Sequence, residues 1–129
     1  MAKAINWPLE FYEEVINEDS ESKRIALRVG SLYFDNGYYV NGEKVDIRVN
    51  HKITRKAVIA DDLQLYKIKD LSEDFLLMNK SSLRSKPRII SFLSNNYNQQ
   101  IDEETVVTVV QYRNLPMENS EIMDDPHVN

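Results

Sequence analysis

The stretch that most constrains the fold is an alternating segment at residues 43–68, near the middle of the chain. Between residues 45 and 49, valine and isoleucine alternate with charged residues, a period of two that is typical of a half-buried strand. A polar turn at residues 50–52 follows, and strand-like sequence continues over residues 53–60 and 63–68. We therefore predict a three-stranded antiparallel meander whose first turn is basic.

The segments on either side of this meander carry helix signals. Pro8 suits the first turn of a helix, and apolar residues at helical spacing continue as far as Asn17. Ser72 can cap a short helix, and Pro87 opens a longer one that we expect to reach Asn96. Helices before and after a group of strands predict an α+β fold, with a curled sheet or small barrel flanked by helices.

Two further strands are predicted outside the meander. Residues 105–112 are rich in valine and threonine and apolar on both faces, which predicts a central strand. Residues 23–29 alternate, with Arg24, Ala26 and Arg28 on the less apolar face. The small Ala26 between two arginines is expected to leave room there for a planar ligand.

Length and composition limit the classes of protein. A chain of 129 residues is long enough for one domain with its own core, and the lack of cysteine excludes disulfides and thiolate metal sites. No apolar run approaches the roughly 20 residues that a membrane helix needs. The first residues also lack the apolar core of a signal peptide, so we expect a cytoplasmic protein without a membrane partner.

The net charge of −5 is unevenly distributed. Four acidic residues and no lysine or arginine follow Arg113: Glu118, Glu121, Asp124 and Asp125. We expect one domain over residues 1–115 and an acidic tail over residues 116–129. The nearly neutral domain argues against strong non-specific nucleic-acid binding, which needs many phosphate contacts, but it permits a local basic site.

Basic residues cluster around the first hairpin turn and on the strand expected to pair nearby. The candidate nucleic-acid-binding residues are Lys23, Arg28, Arg48, His51, Lys52, Arg55 and Lys56. Aromatic residues in the link at 31–40, which is either a short strand or an ordered loop, offer stacking faces. Single-stranded RNA binding combines such cations and aromatics. The alternative interpretation is that charged tips protect sheet edges and that the tyrosines border the core.

No catalytic, metal or cofactor site is predicted. His51 and His127 are the two histidines, so neither a catalytic triad nor a two-histidine metal site can be inferred without folding the tail back. The three glycines do not have the spacing of a phosphate-binding loop.

Three segments resemble the ASCH family of the PUA-like superfamily, over roughly residues 9–115. They are the helix Phe-Tyr-Glu-Glu-Val-Ile at 11–16, the turn and strand at 41–49 with 68–74, and the helix end at 92–97 with the closing strand end at 109–113. The resemblance implies a small PUA-like β-barrel or curled mixed sheet with flanking helices, of a family associated with RNA.

The family motif G-x-K-x-x-E-x-R is matched in part by residues 21–28. Lys23 and Arg28 match its lysine and arginine, whereas Glu21 replaces the glycine and Ala26 the glutamate. Some relatives are amidohydrolases on modified nucleosides and need a threonine or carboxylate beside the motif lysine. Ala26 supplies neither, so the resemblance implies a non-enzymatic domain that binds RNA or a nucleotide.

Two alternatives stay open: an amidohydrolase-type enzyme on a modified nucleoside, with Lys23 as the reactive group, and a protein-interaction module. A cleft holding Lys23 and a carboxylate favours the enzyme, a basic aromatic groove favours RNA, and an exposed apolar patch without a groove favours the interaction module. We expect Lys23 and Arg28 to face one cleft, with four basic residues at its rim: Arg48, Lys52, Arg55 and Lys56.

Overall fold

The computed structural model describes residues 3–117, which form a six-stranded mixed sheet with short helices around it. The strands are β1 (Ala4–Trp7), β2 (Arg24–Val29), β3 (Lys44–Val49), β4 (Lys52–Ile59), β5 (Gln64–Lys67) and β6 (Val106–Asn114). The α-helices are α1 (Tyr12–Asn17), α2 (Leu32–Asp35), α3 (Glu73–Met78) and α4 (Lys86–Tyr97). The predicted α+β class is confirmed.

The strands follow the order β1-β3-β4-β6-β2, and β5 also pairs with β6. All pairs are antiparallel except β1 with β3. The sheet is not closed, so the curled mixed sheet is the correct one of the two predicted architectures. Curling brings β1 and β2, at opposite ends of the order, to the same cleft.

Strand β6 is the centre of the sheet, as its apolar sequence predicts. It pairs with β2 along the whole of β2 on one side and with β4 and β5 on the other. Val107, Val109 and Val110 are fully buried, because both faces of this strand are covered.

The hairpin of β3 and β4 is confirmed, with a tight turn at Asn50 and His51. Both turn residues have positive φ, 50° and 67°, as a two-residue turn between twisted strands requires. The predicted pairing of the third strand of the meander is wrong, since β5 pairs with β6 and not with β4. The physical reason is length: β4 covers only the C-terminal end of β6, and β5 fills the remaining edge.

Strand β1 was not predicted from the sequence. Ile5 and Trp7 are buried, and β1 runs parallel to β3 with Ile5 opposite Ile47. Trp7 therefore ends a strand, and Pro8 precedes a 3-10 turn that leads into α1. The predicted end of this helix at Asn17 is confirmed.

The later helices begin where their sequences predict. The Ser72 hydroxyl accepts a hydrogen bond from the Phe75 N–H at 3.1 Å and caps α3. Pro87 lies in the first turn of α4, which buries Ile89 and Leu93 against the sheet. The link at 31–40 contains the single-turn helix α2 within an ordered loop, and no strand.

Within residues 3–117, none of the helices combines the length and the apolar character needed to cross a membrane. The acidic tail predicted from residue 116 falls mostly on residues 118–129, which lie outside the described part of the chain. The domain boundary near Leu115 therefore stays a prediction.

Candidate ligand-binding cleft

A cleft of about 410 Å³ lies where the two ends of the sheet meet helix α4. Its walls come from β1, β2, the β3–β4 turn and α4. The residues that line it are Asn6, Trp7, Pro8, Leu27, Arg28, Tyr33, Asn50, His51, Phe92, Leu93, Asn96 and Tyr97. This volume is in the range of small-molecule sites.

A smaller chamber of about 30 Å³ adjoins this cleft and shares six of its lining residues. Leu83 and Ile89 add apolar walls, and Asn79 adds an amide. The chamber is larger than the roughly 10–15 Å³ that a cavity needs to hold one water molecule. It is large enough for a small group that protrudes from a ligand, and too small for a ring.

Among residues 3–117, no carboxylate lines the cleft, although the chain carries a net charge of −5. Arg28 is its one formally charged side chain, and His51 can add a second positive charge; no Asp or Glu from residues 3–117 lines the cleft or the chamber. An anionic or acceptor-rich ligand therefore meets no like charge on these walls.

Arg28 is held by neutral oxygens within the described chain and not by an acid. Its Nη1 donates to the Leu27 carbonyl at 3.1 Å. The guanidinium also lies close to the hydroxyl of Tyr39, which donates to the Ala4 carbonyl at 2.8 Å. Burial raises the pKa of Tyr39 to about 12, and Arg28 opposes that shift. The charge of Arg28 is therefore available to a ligand.

Aromatic rings form much of the rest of the cleft. Trp7 is 5% exposed, and its ring centroid lies 5.3 Å from that of Phe11, which in turn meets Phe92 edge-on at 5.4 Å. Tyr97 accepts a hydrogen bond from the Val29 N–H at 3.3 Å. These contacts fix the walls in place before a ligand arrives.

Lys23 does not line this cleft. Its Nζ lies 3.1 Å from the Asp61 carboxylate at a partly exposed position. Hydrogen bonds from the Asp62 N–H and from Lys23 lower the pKa of Asp61. The expected cleft shared by Lys23 and Arg28 is therefore not formed, although Lys23 does have a carboxylate in reach.

Arg55 has a structural role and does not line the cleft. It is 2% exposed, and its guanidinium donates at 2.9 Å to each of three carbonyls, those of Val15, Glu18 and Leu115. Burial lowers the pKa of Arg55, and the Glu18 carboxylate opposes this. These contacts tie the end of α1 to the end of β6 through both terminal nitrogens of the guanidinium, whereas its buried Nε has no partner among the described residues.

The other predicted basic residues lie outside the lining as well. Lys56 pairs with the buried Asp46 at 2.5 Å. Arg48 is opposite Asn6 in the β1–β3 pair, and its buried Nε has no hydrogen-bond partner among the described residues. Lys52 follows His51 at the start of β4. Of the seven predicted residues, the structure brings Arg28 and His51 into one cleft.

The room expected at Ala26 is also absent. Ala26 is fully buried, and Arg24 is mostly covered and ion-paired with Glu18 at 3.4 Å. Both faces of β2 are covered at this point, since the neighbouring Ile25, Ala26 and Leu27 are all buried and α3 contacts this strand. The space lies instead beside Arg28, between Trp7 and α4.

Several lining residues carry no local sequence signal of a site. Asn6 and Trp7 belong to the undetected strand β1, and Phe92 and Tyr97 fit the apolar stripe of α4. The one signal that could have drawn attention is that Trp7 is the single tryptophan of the chain.

A second surface feature is the loop between β2 and β3. Leu32 and Val40 are 69% and 56% exposed, with Phe34 and Tyr38 partly exposed between them. Tyr33 joins this loop to the cleft, with its ring centroid 4.9 Å from that of Tyr38. An apolar patch and a groove are thus both present.

Behind Trp7 is a buried ion pair. Lys80 is 1% exposed, and its Nζ lies 4.0 Å from the Trp7 ring centroid. The same Nζ donates to the Glu18 carboxylate at 3.0 Å and to the Tyr112 hydroxyl at 3.1 Å. No group of three or more His, Asp or Glu side chains within residues 3–117 is placed to hold a metal ion.

The fold is that of a curled α+β domain with an open, mixed sheet. No protein-family model and no curated protein matches this chain. A solved structure of the ASCH domain from Lactobacillus crispatus JV V101 is similar, with a TM-score of 0.57 and 13% identity, over 80% of this chain and 69% of that chain. At this identity the likeness shows the fold alone, and it confirms the ASCH-like fold predicted from the sequence.

Proposed function

We propose that this chain is a non-enzymatic PUA-like domain that binds single-stranded RNA or a nucleotide in the cleft beside Arg28. The observation that carries the proposal is the character of the cleft: its described lining has aromatic walls, one arginine and no carboxylate, in a chain of net charge −5. The ASCH-like fold supports it, since the family is associated with RNA.

The chemistry of the cleft fits a nucleotide. A guanidinium can bind a phosphate through two parallel hydrogen bonds or stack on a base, and Arg28 is not neutralised by an acid. Rings such as Trp7 and Tyr97 offer apolar surface to a base. With one arginine and His51 as its cations, the cleft is expected to bind weakly and with a clear dependence on salt.

The test uses Trp7 as a reporter, since it is the single tryptophan and lines the cleft. A short single-stranded RNA is titrated against the wild type, Arg28→Gln and Arg88→Gln at low and moderate salt. Arg88 is the matched control, an exposed arginine on α4 that does not line the cleft. We expect quenching that saturates in the wild type and in Arg88→Gln, and affinity reduced about tenfold in Arg28→Gln, because a charge-assisted hydrogen bond is lost.

Equal binding by Arg28→Gln and the wild type would place any RNA outside the cleft. The same loss in Lys23→Ala would extend the binding surface to Lys23 and its neighbours. No binding by the wild type at low salt would remove the RNA proposal.

A second candidate function is the binding of another polypeptide through the exposed loop at 32–40. It rests on the apolar patch of Leu32, Phe34 and Val40. This candidate gains weight if RNA and nucleotides fail to bind. The amidohydrolase alternative gains no such support, because Lys23 and Asp61 do not line the cleft.

A further inference from the structure

The chamber next to the cleft contains a hydrogen-bond donor that the described protein leaves unused. The indole Nε1 of Trp7 is buried and has no partner among residues 3–117, and Trp7 lines the chamber. A buried N–H without a partner costs free energy, so such groups are nearly always paired with protein, water or ligand. Trp7 lines both the chamber and the larger cleft, so an acceptor on a bound ligand could approach this indole.

Two other lining residues also present donors. Arg28 has N–H groups beyond the one that it gives to Leu27. The amide oxygen of Asn79 accepts from the Lys80 N–H at 2.9 Å, which leaves the amide N–H groups of Asn79 as donors. The remaining walls are the side-chain amide of Asn6, which can donate or accept, and apolar side chains such as Leu83 and Ile89. A group that enters this space therefore meets donors and no charged acceptor.

We propose, resting on the proposed function, that the chamber selects bases that carry an exocyclic carbonyl group and discriminates against adenine. A carbonyl oxygen protrudes from the ring, fits a space of about 30 Å³ and accepts from the Trp7 indole. Adenine presents an exocyclic amino group instead, which places a donor against donors and leaves the indole N–H unpaired. A site built to hydrogen-bond one group rejects the analogue that lacks it more strongly than an apolar pocket rejects a change in size.

The experiment compares inosine monophosphate with adenosine monophosphate on the full chain. The two nucleotides share the purine ring, ribose and phosphate, and differ at the 6-position, which is a carbonyl in the first and an amino group in the second. We expect inosine monophosphate to bind about tenfold more tightly by Trp7 fluorescence and by calorimetry, because the rejected ligand leaves a buried donor unpaired. Hexainosinate and hexaadenylate give the same comparison where single nucleotides bind too weakly to measure.

The variant Trp7→Phe keeps an aromatic wall and removes the indole N–H. By calorimetry, we expect the ratio of its affinities for inosine monophosphate and adenosine monophosphate to fall toward one. In Arg88→Gln this ratio stays at the wild-type value. The comparison of the two ligands on the wild type is informative even if Trp7→Phe does not fold.

Each outcome separates this inference from the proposed function. Equal affinity for both nucleotides, or tighter binding of adenosine monophosphate, overturns the carbonyl selection and leaves nucleotide binding in place. Binding of neither the nucleotides nor the oligonucleotides overturns both. A preference that survives in Trp7→Phe would assign the selection to other groups and reject the role of the indole.

Discussion

The Lys80 ammonium and the Glu18 carboxylate form a buried ion pair at 3.0 Å directly behind the cleft wall. Burial alone would lower the pKa of Lys80, but the Tyr112 hydroxyl and the Glu18 carboxylate outweigh it and hold that pKa raised. The Glu18 carboxylate also accepts a hydrogen bond from Asn114 Nδ2 at 3.1 Å. One carboxylate therefore connects the loop after α1, the end of β6 and the segment after α3. The Lys80 ammonium also lies 4.0 Å from the Trp7 ring centroid, so the pair supports this wall of the cleft.

Replacing Glu18 with glutamine should lower the free energy of unfolding by about 3 kcal/mol, because it leaves the buried Lys80 charge uncompensated. Urea denaturation measures this change. Glu13→Gln is the matched control, since Glu13 is exposed on α1 and should change stability by less than about 0.5 kcal/mol. Similar stability of both variants would show that water or a rearrangement satisfies Lys80.

Tyr39 should make folding sensitive to alkaline pH. Its pKa is raised from 10.0 to about 12 by burial, so the folded state keeps this hydroxyl protonated where the unfolded chain has begun to ionise. Its stabilising contribution is complete below pH 10 and is lost as the pH rises toward 12. The slope of unfolding free energy against pH in this window should be smaller in Tyr39→Phe than in the wild type. Parallel slopes would contradict the assignment.

The cap of α3 should contribute measurably to stability. Ser72→Ala removes the hydroxyl that accepts from the Phe75 N–H, and the expected cost is about 1 kcal/mol. Thermal or urea unfolding measures it, and Ser82→Ala serves as the control at an exposed position outside any cap. A cost at Ser82 equal to that at Ser72 would show that the loss is not due to capping.

Deleting the residues after Pro116 should change the free energy of unfolding by less than about 1 kcal/mol, because few apolar groups there can bury surface. Within residues 3–117, Leu115 is the last residue with a hydrogen bond to the sheet: its N–H donates to the Lys56 carbonyl, and its carbonyl accepts from Arg55. Ile122 and Met123 are the residues whose docking would contradict this, and a markedly lower melting temperature of the truncated chain would reveal it.

Elements with a local signal could be predicted from the sequence. Three signals each lie within about ten residues of sequence: the alternation in β3, the apolar run of β6 and the capped start of α4. The structure confirms all three elements. Strand β1 and the partner of β5 depend on pairing with segments about 40 residues away along the chain, which no local pattern encodes.

Of the candidate site, the sequence located only those basic residues whose strand or turn also reaches the cleft. Arg28 and His51 are in the cleft, but Arg55 looked like a surface cation and is instead bound to three carbonyls. Charge in a sequence indicates the need for a partner, and whether that partner is solvent, a ligand or the fold itself depends on tertiary packing. Trp7 was missed because its strand was missed.

The long-range pairing of β2 with β6 has a consequence for synthesis on the ribosome. Within the sheet β2 pairs with β6 alone, and Arg24 is opposite Tyr112, so Arg28 cannot be held in place until almost the whole described chain has been made. No residue of β6 lines the cleft, yet a nascent chain that stops before Val106 has no cleft. Ligand binding by translation intermediates should therefore appear abruptly, once the last strand has left the exit tunnel.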